Sequence, residues 1–297
     1  MAIDYEAELA KNFLDSCRKD NISIEYPELD NRRYRTNYDR ISDEIRKSNP
    51  IEDNINYKLI NYNEVVYRAV IIVKYLLGNA VTDDELMEAA SFIEKNDSEA
   101  VMDGYCLDVT DMRNGKRQDI LLIPGMNNIA SVVCLVGVLI HYLERKRRGL
   151  TYDNYRHAFT MSYMAEAVAS NLLDREDKDN DMLYKLRGIR LDAIKFQINT
   201  AKDVELSLKI YPHIKEMPEF KSMYAYESSR DYAFMMGFIN QVCLLNKYLD
   251  DERTFLRKIN EVFKGESKVP ELLDYYGIDL HKHEVTEEVL EVVKRYK

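Results

Sequence analysis

The chain of 297 residues carries ten glycines and six prolines, well below the roughly 12% combined share of ordinary usage. So few backbone breakers exclude a β-sandwich or barrel, which needs a turn every few residues, and 46% hydrophobic residues exclude disorder. Lys and Arg number 42 against 52 Asp and Glu, a net charge of −10, which argues against nucleic acid as a partner because its phosphates are neutralised by Lys and Arg. A mainly α-helical globular protein with a sizeable core is what survives.

Residues 1–60 are polar, with breaks at Pro27 and Pro50, and read as a helical N-terminal arm or cap. Residues 61–297 read as one continuous helical domain. Near Tyr62 the pattern turns apolar (Val65, Val66, Ala69, Val70, Val73, Leu76, Leu77) and stops at Gly78, a usual C-terminal helix stop. Thr82 with Glu85 three residues on predicts a capping box opening the next helix. Residues 101–125 differ. Asp103-Gly104, Asn114-Gly115 and Pro124-Gly125 are turn signals around short runs such as Ile120 to Ile123, so a small β element, a hairpin or edge sheet, is expected there. Helices are then expected at 129–148, 153–174, 179–208, 227–248, 252–264, 270–276 and 286–296, the later ones bounded by Gly265, Pro270 and Gly277.

The run from Ile129 to Leu143 is apolar except for Ser131 and His141. It falls short of the roughly 20 residues of a spanning helix and reads as a buried core helix, so no membrane partner is expected. The N-terminus is charged from Asp4 onward and predicts no secretory signal. Cys17, Cys106, Cys134 and Cys243 show no paired or metal-like spacing. With Cys134 and Cys243 as buried thiols, they suit a reducing, cytoplasmic compartment.

Phosphate-loop, dinucleotide and serine-hydrolase glycine motifs are absent. Among the histidines, His281 and His283 read as a solvated loop with a metal role as the alternative, and His213 as a surface residue. His141 is more informative, because an imidazole in a buried helix needs a hydrogen-bond partner or a metal. The next helix offers Glu166 among small residues, Ala165-Glu166-Ala167-Val168-Ala169-Ser170. On these residues a His–Glu pair satisfying itself in a helix interface stands beside a metal site. The basic run Arg145 to Arg148 reads as the favourable end of a helix, with an anionic partner as the alternative.

The run Ser131 to Leu143, followed by Met164-Ala165-Glu166-Ala167-Val168-Ala169-Ser170, resembles the active-site helices of the M3 metallopeptidases, the oligoendopeptidase F branch. Downstream, Asp181 to Glu205, Met217-Pro218-Glu219-Phe220 and the stretch Val262 to Leu280 are similar to later parts of that family. Upstream, Gly115-Lys116-Arg117 and the 119–123 strand resemble its small active-site sheet. The resemblance covers residues 100–297 in order and implies a mainly α, zincin-like domain. It further implies a zinc site on His-Glu-x-x-His plus a glutamate, and tyrosines near the reacting carbonyl at Tyr224, Tyr226 and Tyr232.

The chain departs from that pattern where the chemistry sits. His-Glu-x-x-His falls on Gly137-Val138-Leu139-Ile140-His141, so Gly137 replaces the first zinc histidine and Val138 the general base, while His141 and Glu166 remain as vestigial metal positions. Catalytic zinc takes three protein ligands and a water, and a carboxylate must accept that water's proton. The resemblance therefore implies a pseudopeptidase without catalytic residues or cofactor, binding a peptide or protein segment in a cleft near His141, Glu166, Tyr224, Tyr226 and Tyr232. Two alternatives stand beside it: an active zinc oligoendopeptidase with substitute ligands, and a structural or interaction protein that keeps only the fold. A homo-oligomer is compatible with each.

Overall fold

The computed structural model describes residues 27–49, 59–96, 105–110, 117–124, 128–148, 157, 159–176 and 181–297. Helices dominate: α1 (Pro27–Asp30), α2 (Arg32–Lys47), α3 (Tyr62–Leu77), α4 (Asp83–Ser91), α5 (Ile129–Arg148), α6 (Thr160–Glu176), α7 (Met182–Ile210), α8 (Pro218–Asp250), α9 (Glu252–Phe263), α10 (Val269–Tyr276) and α11 (His283–Val293). The glycine stops and the capping box expected from the sequence are present, whereas α6 begins at Thr160 and not at 153, and α8 at Pro218 and not at 227. Gly78 ends α3 at φ 47°, and Gly277 ends α10 in the left-handed conformation at φ 65°, where a side chain would be strained. Thr82 and Glu85 form the reciprocal capping box of α4.

The small sheet lies where the turn signals placed it, with one addition. Strands β2 (Tyr105–Thr110) and β3 (Arg117–Pro124) pair antiparallel, from Tyr105 opposite Leu122 to Thr110 opposite Arg117. A third strand, β1 (Ile93–Asn96), pairs parallel with the other edge of β3, giving the order β1-β3-β2. Strand β1 is four residues without alternation or a preceding breaker, directly after α4. Pairing with β3, not local pattern, makes it a strand.

At the centre stands α6, where every residue from Thr160 to Ser170 is buried. It packs against α5, α7 and α8, while α3 covers another side of α5 and the sheet lies beside α5. A helix apolar or small on all faces has to be enclosed this way. Helix α8 is also fastened to α6 by buried side chains: Asn240 Nδ2 donates to Thr160 Oγ1 at 2.9 Å and Gln241 Nε2 to the Tyr163 carbonyl at 2.9 Å. Residues 27–49, expected as part of an arm or cap, contribute to the common core. Ile41 and Ile45 are fully buried, and α2 packs on α7 and α11.

Candidate active-site region

Gly137 sits on α5 where that helix meets α6. A Cβ added there would lie 2.3 Å from Glu166 Oε1, 2.7 Å from its Cγ and 2.8 Å from its Cδ. The carboxylate therefore occupies the space a side chain at 137 would need. On the far side of α6, Gly237 of α8 does the same, since its Cβ would lie 2.9 Å from Phe159 Cβ and 3.0 Å from Tyr163 Cδ2. Two glycines, one on each flanking helix, set how closely α6 is held.

Glu166 and Arg190 of α7 form a two-pronged ion pair. Arg190 Nη2 donates to Glu166 Oε1 at 2.7 Å and Arg190 Nε to Oε2 at 3.2 Å. Their side chains are 5% and 8% exposed, which places the pair in the protein interior, where such a fork is both strong and costly to break. The guanidinium also lies 4.5 Å from the Tyr163 ring centroid, a cation–π contact.

One helical turn beyond Gly137, on the same face of α5, His141 is half-buried. Its ring stacks on Phe159 at 5.7 Å with the planes 3° apart. Phe159 in turn stacks on Phe234 of α8 at 4.2 Å, and Phe234 on Tyr163 at 6.2 Å. A run of rings from three elements thus leads from His141 to the Glu166–Arg190 pair.

His141 and Glu166 both belong to the α5–α6 interface, and Val138 is core, 5% exposed. Tyr232 is buried, its hydroxyl shares a hydrogen bond with that of Tyr34 at 2.8 Å, and its ring stacks on Tyr38; this tyrosine is engaged with α2. Tyr224 and Tyr226 fall within α8, but their side chains lie outside the described residues. His213 is exposed. His281 meets Asp279 at 2.8 Å and His283 lies 3.7 Å from Glu287. In the basic run, Lys146 pairs with Glu88 and Arg147 with Glu85. Among the described residues no three His, Cys, Asp or Glu side chains converge as a metal site would require, and no helix is long and apolar enough to cross a membrane.

No family model matches the sequence, and no curated protein matches it. A solved structure does: a protein provisionally named an oligoendopeptidase F, 10% identical, with a TM-score of 0.54 over 92% of this chain. The chain folds like an oligoendopeptidase F. It spans 58% of the length of that structure. At this identity the likeness concerns the fold alone, and it agrees with the mainly helical, peptidase-like domain that the sequence led us to expect.

Within this oligoendopeptidase-like fold, Arg190 is the residue the sequence reading did not single out. A signal for it was present. It lies four residues after Leu186 and four before Ile194, on the stripe of α7 that includes the buried Leu191 and Ile194. An arginine at a core position of an amphipathic helix requires a buried anion, and Glu166 is the buried carboxylate of the neighbouring helix.

Proposed function

We propose that this chain is a catalytically silent protein of the oligoendopeptidase fold that binds a peptide or protein segment instead of cleaving it. The observation that carries the reading is the Glu166–Arg190 fork pressed against Gly137. By the resemblance, Glu166 stands at the third zinc ligand. Here both its oxygens are engaged by a guanidinium, and the carboxylate fills the space of the missing histidine at Gly137. Arg190 supplies the positive charge that a metal would otherwise bring to this carboxylate. Gly137 has no donor atom, Val138 has no base, and His141 is stacked on Phe159. These residues do not fit a catalytic zinc, which needs three protein ligands and an open position.

The binding half of the reading rests on His141, Phe159 and Phe234. All three rings are half-buried, and together they offer apolar faces beside a buried charged pair, the mixture that suits a peptide side chain and its backbone. Cys134 and Cys243 are buried and enter no disulfide, which supports a reducing, cytoplasmic setting.

The test is metal analysis and peptidase assay of protein purified without added metal, with fluorescence-polarisation titration of unstructured peptides. Zinc well below one equivalent and no chelator-sensitive cleavage are expected, with peptide binding weakened by Phe234→Ala. One bound zinc with chelator-sensitive cleavage would favour the active peptidase. Absent zinc and absent peptide binding would favour a protein that keeps the fold for structural purposes alone.

A further inference from the structure

One turn before Arg190 on the same helix, Arg187 is 7% exposed. Its Nε is buried without a hydrogen-bond partner, and among the described residues its guanidinium enters no ion pair. Arginine does not shed its proton in proteins, so burial lowers its pKa without neutralising it. A buried cation with no counter-charge is among the costliest arrangements a fold can contain.

The groups it senses do not supply that charge. They are Tyr296, Arg295 and Cys243. The Tyr296 hydroxyl donates to the Tyr184 carbonyl at 2.7 Å and burial pushes its pKa up, so it stays a neutral phenol. Burial likewise pushes the Cys243 thiol up, with Glu288 acting in the same direction. Arg295 is a second cation, exposed at the surface. Neither nearby carboxylate forms an ion pair with Arg187: Asp181 precedes α7 near Tyr296, and Glu288 accepts from Asn246 and bonds with Cys243. Arg187 therefore stays a buried cation in no ion pair among the described residues, and Arg295 adds a second positive charge near it.

We infer that Arg187, with Arg295 at the rim, forms a binding site for a small oxyanion, a phosphate or sulfate group, between α7, α8 and the C-terminal turn. A planar guanidinium engages two oxygens of such a group at once, and the surrounding thiol and phenol favour a compact ion over a long charged side chain. The site is separate from the Glu166–Arg190 pair and does not depend on the proposed peptide-binding role.

The test is thermal unfolding and calorimetric titration with inorganic phosphate, at constant ionic strength set with sodium chloride, on the full chain. Wild type is expected to show a saturable rise in unfolding midpoint beyond that in chloride. Arg187→Met should lose it, Arg295→Ala should weaken the affinity about tenfold, the loss of one charge-assisted contact, and Arg257→Met, on the remote α9, should leave it unchanged. Should Arg187→Met fail to fold, Arg187→Lys keeps the charge, loses the two-pronged geometry and should bind more weakly. Adenosine monophosphate as a second ligand separates the sources: response to phosphate alone assigns a free ion, and response to both assigns a phosphate carried on a larger molecule. No saturable response in wild type, or one that persists in the Arg187 variants, overturns the inference.

Discussion

Arg190 and Arg187 project into the protein from adjacent turns of α7, and their surroundings could hardly differ more. Arg190 reaches into the α5–α6 interface and finds a carboxylate that fits its fork. Arg187 reaches toward α8 and the C-terminal turn and finds a thiol, a phenol and another arginine. The difference teaches that a buried arginine has to be judged by its counter-charge. The first is a completed structural unit; the second is a charge still in need of a ligand.

The largest effect should come from breaking the completed unit. Arg190→Met leaves Glu166 buried and unpaired and is expected to destabilise the fold by about 3–5 kcal/mol, measured by urea unfolding. Replacing both partners, Glu166→Gln with Arg190→Met, should recover much of that loss. If the double variant is as unstable as the single one, the pair is not the unit described here.

Gly137 is the next lever. Gly137→Ala forces the Glu166 carboxylate off its position and should cost about 1–3 kcal/mol. The same substitution in a Glu166→Ala background should cost much less, and a thermodynamic cycle reads the coupling. Rebuilding His-Glu-x-x-His through Gly137→His with Val138→Glu demands a larger displacement, because Glu166 must leave Arg190 before it can turn to a metal. That variant should be unstable without zinc and stabilised by it. Failure to bind more zinc than the parent would mean that the Arg190 fork outcompetes the metal for Glu166.

Arg187 should behave oppositely to Arg190. In phosphate-free buffer Arg187→Met removes an uncompensated buried charge and should leave stability unchanged or raise it by about 1 kcal/mol. Two methionine substitutions one turn apart would then differ in sign, which is the sharpest form of the comparison.

The smallest effect belongs to an exposed pair. Glu85 is held down at about 2, first by the Thr82 backbone N–H of the capping box and then by Arg147. Because the folded pKa lies below the usual 4.5, its stabilisation is present above that value and lost as pH falls from 4.5 toward 2. Glu85→Gln should flatten this part of the acid-unfolding profile. The Arg147 share should fade in high salt, whereas the buried Arg190 pair should hardly respond.

Much of the architecture was legible before any coordinates. Gly78, Gly265 and Gly277, the Thr82 capping box and the uninterrupted apolar run of α5 mark elements by local chemistry, and those elements are where local chemistry put them. The partnership around Glu166 was less legible. His141 and Glu166 were visible as polar residues in apolar helices. That Glu166 would turn to Arg190 depends on which face of α7 meets α6, and no spacing within either helix encodes that. Strand β1 is a similar case, since Ile93 to Asn96 become a strand through β3.

The sequence by itself determined the helical class and the helix ends marked by a glycine or a capping box, because each depends on residues a few positions apart. Only the tertiary structure decided that the Glu166 carboxylate is claimed by an arginine, that Tyr232 bonds to an N-terminal helix, and that Arg187 has no counter-ion among the described residues. Those outcomes depend on which charges are brought together from distant parts of the chain and shielded from water, and in a low-dielectric interior the partner decides what a charged residue can do.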